Sequence, residues 1–355
     1  MIARLLLSVW FLVLAAPAVA DDHTFPALTA PSRTLVVGST TDIGVIQPVI
    51  EAFQHANPAV AIRYRELTTN TLFAEAADAC AKGGGADDIV LSSAMDLQVK
   101  LVNDGCASTV ERPGLDALPD YARWRSQLFG LTYEPSVIVY NRRAIADWEA
   151  PVDHFALLDL LRQPDRFRGR IGTYDIESSG LGYLFATLDD QRSSTWGRLI
   201  EGMGRNQVKL YCCTQEILDR VADGRLALGY NVLGSYALAE ARKKPDLAVV
   251  IPSDYALVLT RAAYVPATAA NKADAAAFIE FTQGLQGRHI LNDEAMLFSP
   301  IDGADHLFRE LGNAAGDNRS IRPIPLGPAL MVGLDQMKRR VFLKQWRDSL
   351  GIAQD

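Results

Sequence analysis

Three times between Thr34 and Asn103, a short apolar run gives way to a hydroxyl-rich loop and then to a helix-spaced pattern. The first run, residues 34–38 (TLVVG), is β-branched and reads as a buried strand. Ser39, Thr40, Thr41 and Asp42 follow it, and then Val45, Val49, Phe53 and the pair Ile46 and Ile50 recur every four residues. Pro48 fits that helix only in its first turn, so the helix is expected to begin near Val45 and to stop at Asn57-Pro58. Residues 61–67 (AIRYREL) alternate as a second strand, Thr68, Thr69 and Asn70 follow, and a helix over about 72–81 closes at Gly83-Gly84-Gly85. The third strand is 88–91 (DIVL), then Ser92, Ser93 and a helix through 96–103. Such a series predicts an α/β fold with a mostly parallel sheet flanked by helices. Ligands of such sheets bind beyond the carboxyl ends of the strands, so the STTD, TTN and SSA loops are expected along one edge.

A second α/β series begins after the strand-like segment 129–141 (FGLTYEPSVIVYN), which Pro135 interrupts. Strand 170–174 runs into TYDIESSGLGYLF, and a helix is expected from Gly180 to about Leu188. Ser178, Ser179 and Gly180 stand at the helix start and admit two readings. Ser179 is either a plain N-cap or part of a cradle in which unpaired N–H groups hold a phosphate, phosphonate or carboxylate. Further helices are expected over 196–204, 215–222, 272–283 and 334–350, and strands over 208–212, 226–230, 248–251 and 256–265.

The N-terminus carries Arg4, the apolar run 5–20 and a small-x-small exit at Ala18-Val19-Ala20, the pattern of a secretory signal peptide cleaved after Ala20. The mature chain is therefore expected in the periplasm, where disulfides form. Cys80, on a helical stretch, and Cys106, just after the next one, make a plausible bridge. Cys212 and Cys213 are adjacent, and either a bond between them or two free buried thiols fits the sequence. No histidine pair has ligand spacing with the cysteines, so neither a metal nor a cofactor is expected. A formal net charge of −7 argues against nucleic acid as a partner. No GxSxG or HExxH motif is present, and no enzyme activity is expected.

VVGSTTD…IQPVIEAFQHANP, IRYREL, DIVLSSAMDLQVKLVNDG, FGLTYEPSVIVYNRR, VADGRLALGYNVLGSY and ADAAAFIEFTQGLQGRHIL occur in this order over roughly residues 33–300. The series resembles type II periplasmic substrate-binding proteins of ABC importers, in particular the iron(III)-type, AfuA-like branch. That resemblance implies two α/β lobes joined by two crossovers near 132–141 and 251–259, with ligand held between them. One lobe would comprise 33–137 and the returning segment 253–355 with its C-terminal helices; the other would comprise 138–252. It also implies a ligand site built from Ser39, Thr40, Thr41, Thr69, Asn70, Ser92 and Ser93 on the first lobe and Ser178, Ser179, Gly180, Tyr230 and Asn231 on the second. Tyr133 would stand at the crossover. Ferric binders of this kind supply two adjacent tyrosines, whereas Gly234-Ser235-Tyr236-Ala237 holds one, which favours a small polar, anionic ligand over iron. The partner would be an inner-membrane permease, or a sensor kinase, and the chain would act as a monomer.

Overall fold

A computed structural model describes residues 21–30, 33–311 and 321–352, and the expected signal peptide, residues 1–20, lies outside them. The three repeated units build the middle of a seven-stranded sheet. Strand Arg33–Ser39 pairs in parallel with Val60–Glu66 on one side and Ile89–Ser92 on the other. The helices that follow these strands are Ile43–Ala56, Thr69–Lys82 and Met95–Asn103. The first begins at Ile43 rather than near Val45, so Pro48 lies inside it and removes one backbone donor. The residues before Arg33 supply an antiparallel strand, Asp21–Phe25, in register with Val60–Glu66. This register sets Asp22 opposite Arg65; the Asp22 carboxylate pairs with the diagonal Arg63, and Arg65 pairs with Asp87 and Glu75. Both arginines are thus committed on the sheet face rather than offered to a ligand.

The stretch read as one interrupted strand is two, Leu128–Gly130 in the first sheet and Glu134–Asn141 in the second. Leu131, Thr132 and Tyr133 cross between them, alongside Thr260 and Arg261 on the returning chain. The two crossings are stitched together: Leu131 N–H donates to the Arg261 carbonyl, and Arg261 N–H donates to Thr132 Oγ1 at 2.8 Å. In the second sheet, all eight residues of Glu134–Asn141 are buried, and Leu228–Leu233, Ile171–Tyr174 and Lys209–Tyr211 extend the sheet from it.

The end of the chain divides its contacts. Strands Ala256–Leu259 and Ile321–Pro323 pair with each other beside Glu134–Asn141. The 3-10 segment Pro328–Leu334 packs on helix Met95–Asn103 of the first lobe. Helix Gln336–Leu350 instead packs on Trp196–Arg205 of the second, with the Trp346 and Trp196 rings stacked 6.0 Å apart. A disulfide between Cys80 and Cys106 ties helix Thr69–Lys82 to the residues after Met95–Asn103.

Candidate functional site

Where the carboxyl ends of both sheets' strands approach each other, the lobes enclose a cavity of 270 Å³.

On the first-lobe wall, the turn after Arg33–Ser39 presents Thr40, whose Oγ1 accepts from the Ser93 N–H at 3.1 Å. Thr40 and Ser93 therefore reach the cavity together, as do Thr68 and Thr69 from the next loop. The loop hydroxyls between them turn inward. Ser39 Oγ accepts from Thr41 N–H, and Ser92 Oγ accepts from Ala94 N–H, each closing its own turn. Three carboxylates join this wall, the first being Asp21 at the start of strand Asp21–Phe25. Asp42 precedes helix Ile43–Ala56, and Glu66 accepts from the Ile43 N–H at 2.8 Å. Partial burial pushes the Glu66 carboxyl above its ordinary range, and the nearby Asp42 charge adds to this.

On the second-lobe wall, Tyr174 ends strand Ile171–Tyr174 and bonds Thr214, while Tyr236 donates to Asp42 across the cleft. Burial holds both phenols protonated, raising them above their ordinary value. The serine loop fulfils the capping reading: Ser179 Oγ accepts from the Gly182 N–H at 3.1 Å. It also meets the facing lobe directly. Gly180 N–H donates to Thr69 Oγ1 at 2.8 Å, and Asn70 Nδ2 donates to the Ser178 carbonyl at 2.8 Å. A Cβ at Gly180 would lie 3.0 Å from Thr69 Oγ1 and 3.1 Å from Asn70 Oδ1, so a larger residue here would have to push these two side chains back. Ser178 and Ser179 line the cavity; Gly180 and Asn70 form the contact beside it.

The floor is an ion pair between the crossovers. Arg261 is 1% exposed and Glu134 0%, with Arg261 Nε 2.9 Å from Glu134 Oε1. Arg261 Nη1 donates to Thr41 Oγ1 at 2.9 Å, and Thr132 and Ser235 hydroxyls donate to Glu134. Thr41 thus serves the floor rather than the cavity. The pair is saturated with partners, as a buried charge must be.

Three expected residues lie elsewhere. Tyr133 packs edge-on against Tyr121 at 6.5 Å, away from the cavity. Strand Leu228–Leu233 has an irregularity between Gly229 and Val232, where Asn231 adopts φ 61°. It turns Tyr230 and Asn231 toward helix Gly180–Arg192, where Tyr230 OH and Asn231 Nδ2 donate to the buried Asp189 at 2.9 and 2.6 Å. A buried carboxylate needs such donors, and this need outweighs any role in the cleft.

Sequence reasoning missed Glu66, Tyr174, Thr214 and the Arg261–Glu134 pair. For the pair a signal existed, because both charges stand alone in apolar strand-like runs, FGLTYEPSVIVY and ALVLTRAAY. The adjacent cysteines are bonded, Cys212 to Cys213, and are exposed at the cavity mouth rather than buried. Among the described residues, no group of three or more His, Cys, Asp or Glu side chains is arranged to hold a metal ion. Nor is any described helix long and apolar enough to cross a membrane.

The family model described as bacterial extracellular solute-binding protein matches residues 34–296. The substrate-binding protein of an ABC transporter from Agrobacterium tumefaciens is 36% identical, with a TM-score of 0.87 over 94% of this chain and 100% of that one. The periplasmic binding protein AfuA from Actinobacillus pleuropneumoniae, solved with fructose-6-phosphate, is 15% identical with a TM-score of 0.71 over 91% of this chain and 100% of that one. Iron-bound HitA from Pseudomonas aeruginosa is 17% identical with a TM-score of 0.60, over 89% of this chain and 99% of that one. The last two share the fold. No curated protein matches the chain.

Proposed function

Because the chain belongs to the bacterial extracellular solute-binding proteins that serve ABC transporters, we propose that it captures a small polar ligand with an anionic group at one end and hydroxyl or ammonium donors at the other. The observation that carries this reading is the opposite polarity of the cavity walls. Asp42 and Glu66 give the first-lobe wall acceptors and negative charge. Facing them, helix Thr214–Ala222 begins at Cys213 without a side-chain cap, and Thr214 and Gln215 line the cavity. An uncapped helix start offers free N–H groups and about half a positive charge, which suits a phosphate, phosphonate or carboxylate. Thr40, Thr69, Ser93, Ser178 and Ser179 supply neutral hydroxyls between the two.

In this reading 33–137, with much of the returning chain, forms one jaw and 138–252 the other, closing about the paired crossovers. A monomer would deliver its ligand to an inner-membrane permease after export to the periplasm. The test is a thermal-shift screen over sugar phosphates, phosphonates, di- and tricarboxylates, polyamines and ferric chelates. Compounds bearing an anion together with hydroxyl or amine groups should raise the melting temperature most. No stabilisation by any anion would refute the ligand class.

One observation favours ferric iron as a second reading. Tyr174 joins Tyr236, Asp42 and Glu66 in the same cavity, giving an oxygen-only donor set of the kind a hard cation takes. Titration with ferric citrate separates the two readings, since iron on these phenols would produce a tyrosinate-to-iron charge-transfer band.

A further inference from the structure

The Cys212–Cys213 disulfide stands where a structural staple would do little. It joins neighbours in sequence, so it closes no long loop, and the chain-entropy gain that makes a disulfide stabilising is small. Both residues are exposed, and both line the mouth of the cleft. They immediately precede the uncapped start of helix Thr214–Ala222. We infer that this disulfide is a specificity-determining part of the binding surface: a polarisable apolar platform that selects ligands presenting a ring or alkyl face beside their charged group. The inference rests on the cleft being the ligand site and deepens that reading.

The cavity's chemistry is divided in a way that gives the platform a purpose. The hydroxyls and carboxylates of Thr40, Ser93, Asp42 and Glu66 occupy the first lobe. On the second lobe the disulfide is accompanied by Leu181, Leu233 and the Tyr174 ring. Sulfur packs favourably against apolar and aromatic groups, whereas two free thiols or hydroxyls could rotate or draw water. Bonding adjacent cysteines into a small ring through their shared peptide removes that freedom. Small-molecule sites combine such an apolar face with a few placed polar groups. A bare inorganic anion seated at the helix start would leave the sulfurs, Leu181 and Leu233 uncovered, while a sugar phosphate or an aryl- or alkyl-bearing acid would cover them.

The test compares matched probes on the full exported chain, purified without reductant: inorganic phosphate against phenyl phosphate, and glycerol 3-phosphate against glucose 6-phosphate. Calorimetry should show at least tenfold tighter binding of the ring-bearing member of each pair. That ratio should fall toward one in Cys212→Ser/Cys213→Ser. A second comparator guards against a folding defect in this variant: wild-type protein mildly reduced by dithiothreitol and alkylated, with mass spectrometry verifying modification at Cys212 and Cys213 only. An unchanged ratio in both altered forms would overturn the inference. If no probe binds the wild type, the anionic ligand class fails, and capture from a heat-treated bacterial metabolite extract decides the remaining point. A ring-bearing compound retained by the wild type and lost from the altered forms supports the platform. Equal retention, or retention of nothing, overturns it.

Discussion

Replacing Asp96 by asparagine should remove about 2–3 kcal/mol of the stability that the protein loses between pH 5 and pH 7.5. Asp96 opens helix Met95–Asn103, is 2% exposed, and has an Oδ1 atom with no hydrogen-bond partner. Burial raises its carboxyl from the ordinary 3.8 to about 7, against a smaller opposing pull from the helix N–H groups and Arg339. The native state therefore keeps this proton over a range in which the unfolded chain releases it. Below about pH 4 both states are protonated, and the group contributes no pH dependence. As pH rises toward 7 the unfolded state alone ionises and stability falls; above 7 the full penalty is present. Each pH step of one over which only the unfolded carboxyl ionises costs about 1.36 kcal/mol, so the loss between pH 5 and 7.5 amounts to about 2–3 kcal/mol. Urea unfolding at the two pH values and constant ionic strength reads this directly. Asp96→Asn should flatten the slope and leave the variant more stable than wild type at pH 7.5. A slope equal to that of the wild type would refute the reasoning.

Arg261→Met strips the buried Glu134 of its counter-charge, and urea unfolding should show a cost of about 3–5 kcal/mol, which the double variant Arg261→Met/Glu134→Met largely recovers. A cost near that of a surface substitution would mean that the crossovers do not depend on this pair. Asn70→Ala deletes the donor to the Ser178 carbonyl. A lost hydrogen bond of about 1 kcal/mol should shift the open-to-closed ratio about fivefold and enlarge the radius of gyration of the ligand-free protein in small-angle scattering. An unchanged scattering curve would count against this contact as a closing latch.

Much of the first lobe was legible because its signals are local. The TLVVG, AIRYREL and DIVL runs and their following loops each contain the periodicity that defines them. Thr40, Thr69 and Ser93 reach the cavity because they stand at strand ends, a rule that needs no tertiary knowledge. Ser39, Thr41 and Ser92 are of the same residue types in the same loops, yet their hydroxyls close their own turns or meet Arg261. Thr40 and Thr69 instead accept N–H groups of other loops, those of Ser93 and Gly180, and stay at the cavity. Which hydroxyl a loop turns outward is decided by turn closure, and composition does not encode it. Tyr230 and Asn231 were misplaced for a longer-range reason, the demand of Asp189, 41 and 42 residues away, for donors. Arg261 and Glu134 were readable as lone charges in apolar strands, but their 127-residue separation hid their pairing.

The chain's tail has a consequence for how the lobes part. Leu326 N–H donates to the Tyr121 carbonyl on the first lobe, Tyr183 OH of the second lobe donates to the Gly333 carbonyl, and Arg347 pairs with Glu177 beside the jaw contact. Anchored on both bodies outside the crossovers, this segment would act in the proposed jaw motion as a check-strap beside a door hinge. Its slack would then set the angle at which opening stops, so the travel available for ligand release would depend partly on residues outside the cavity.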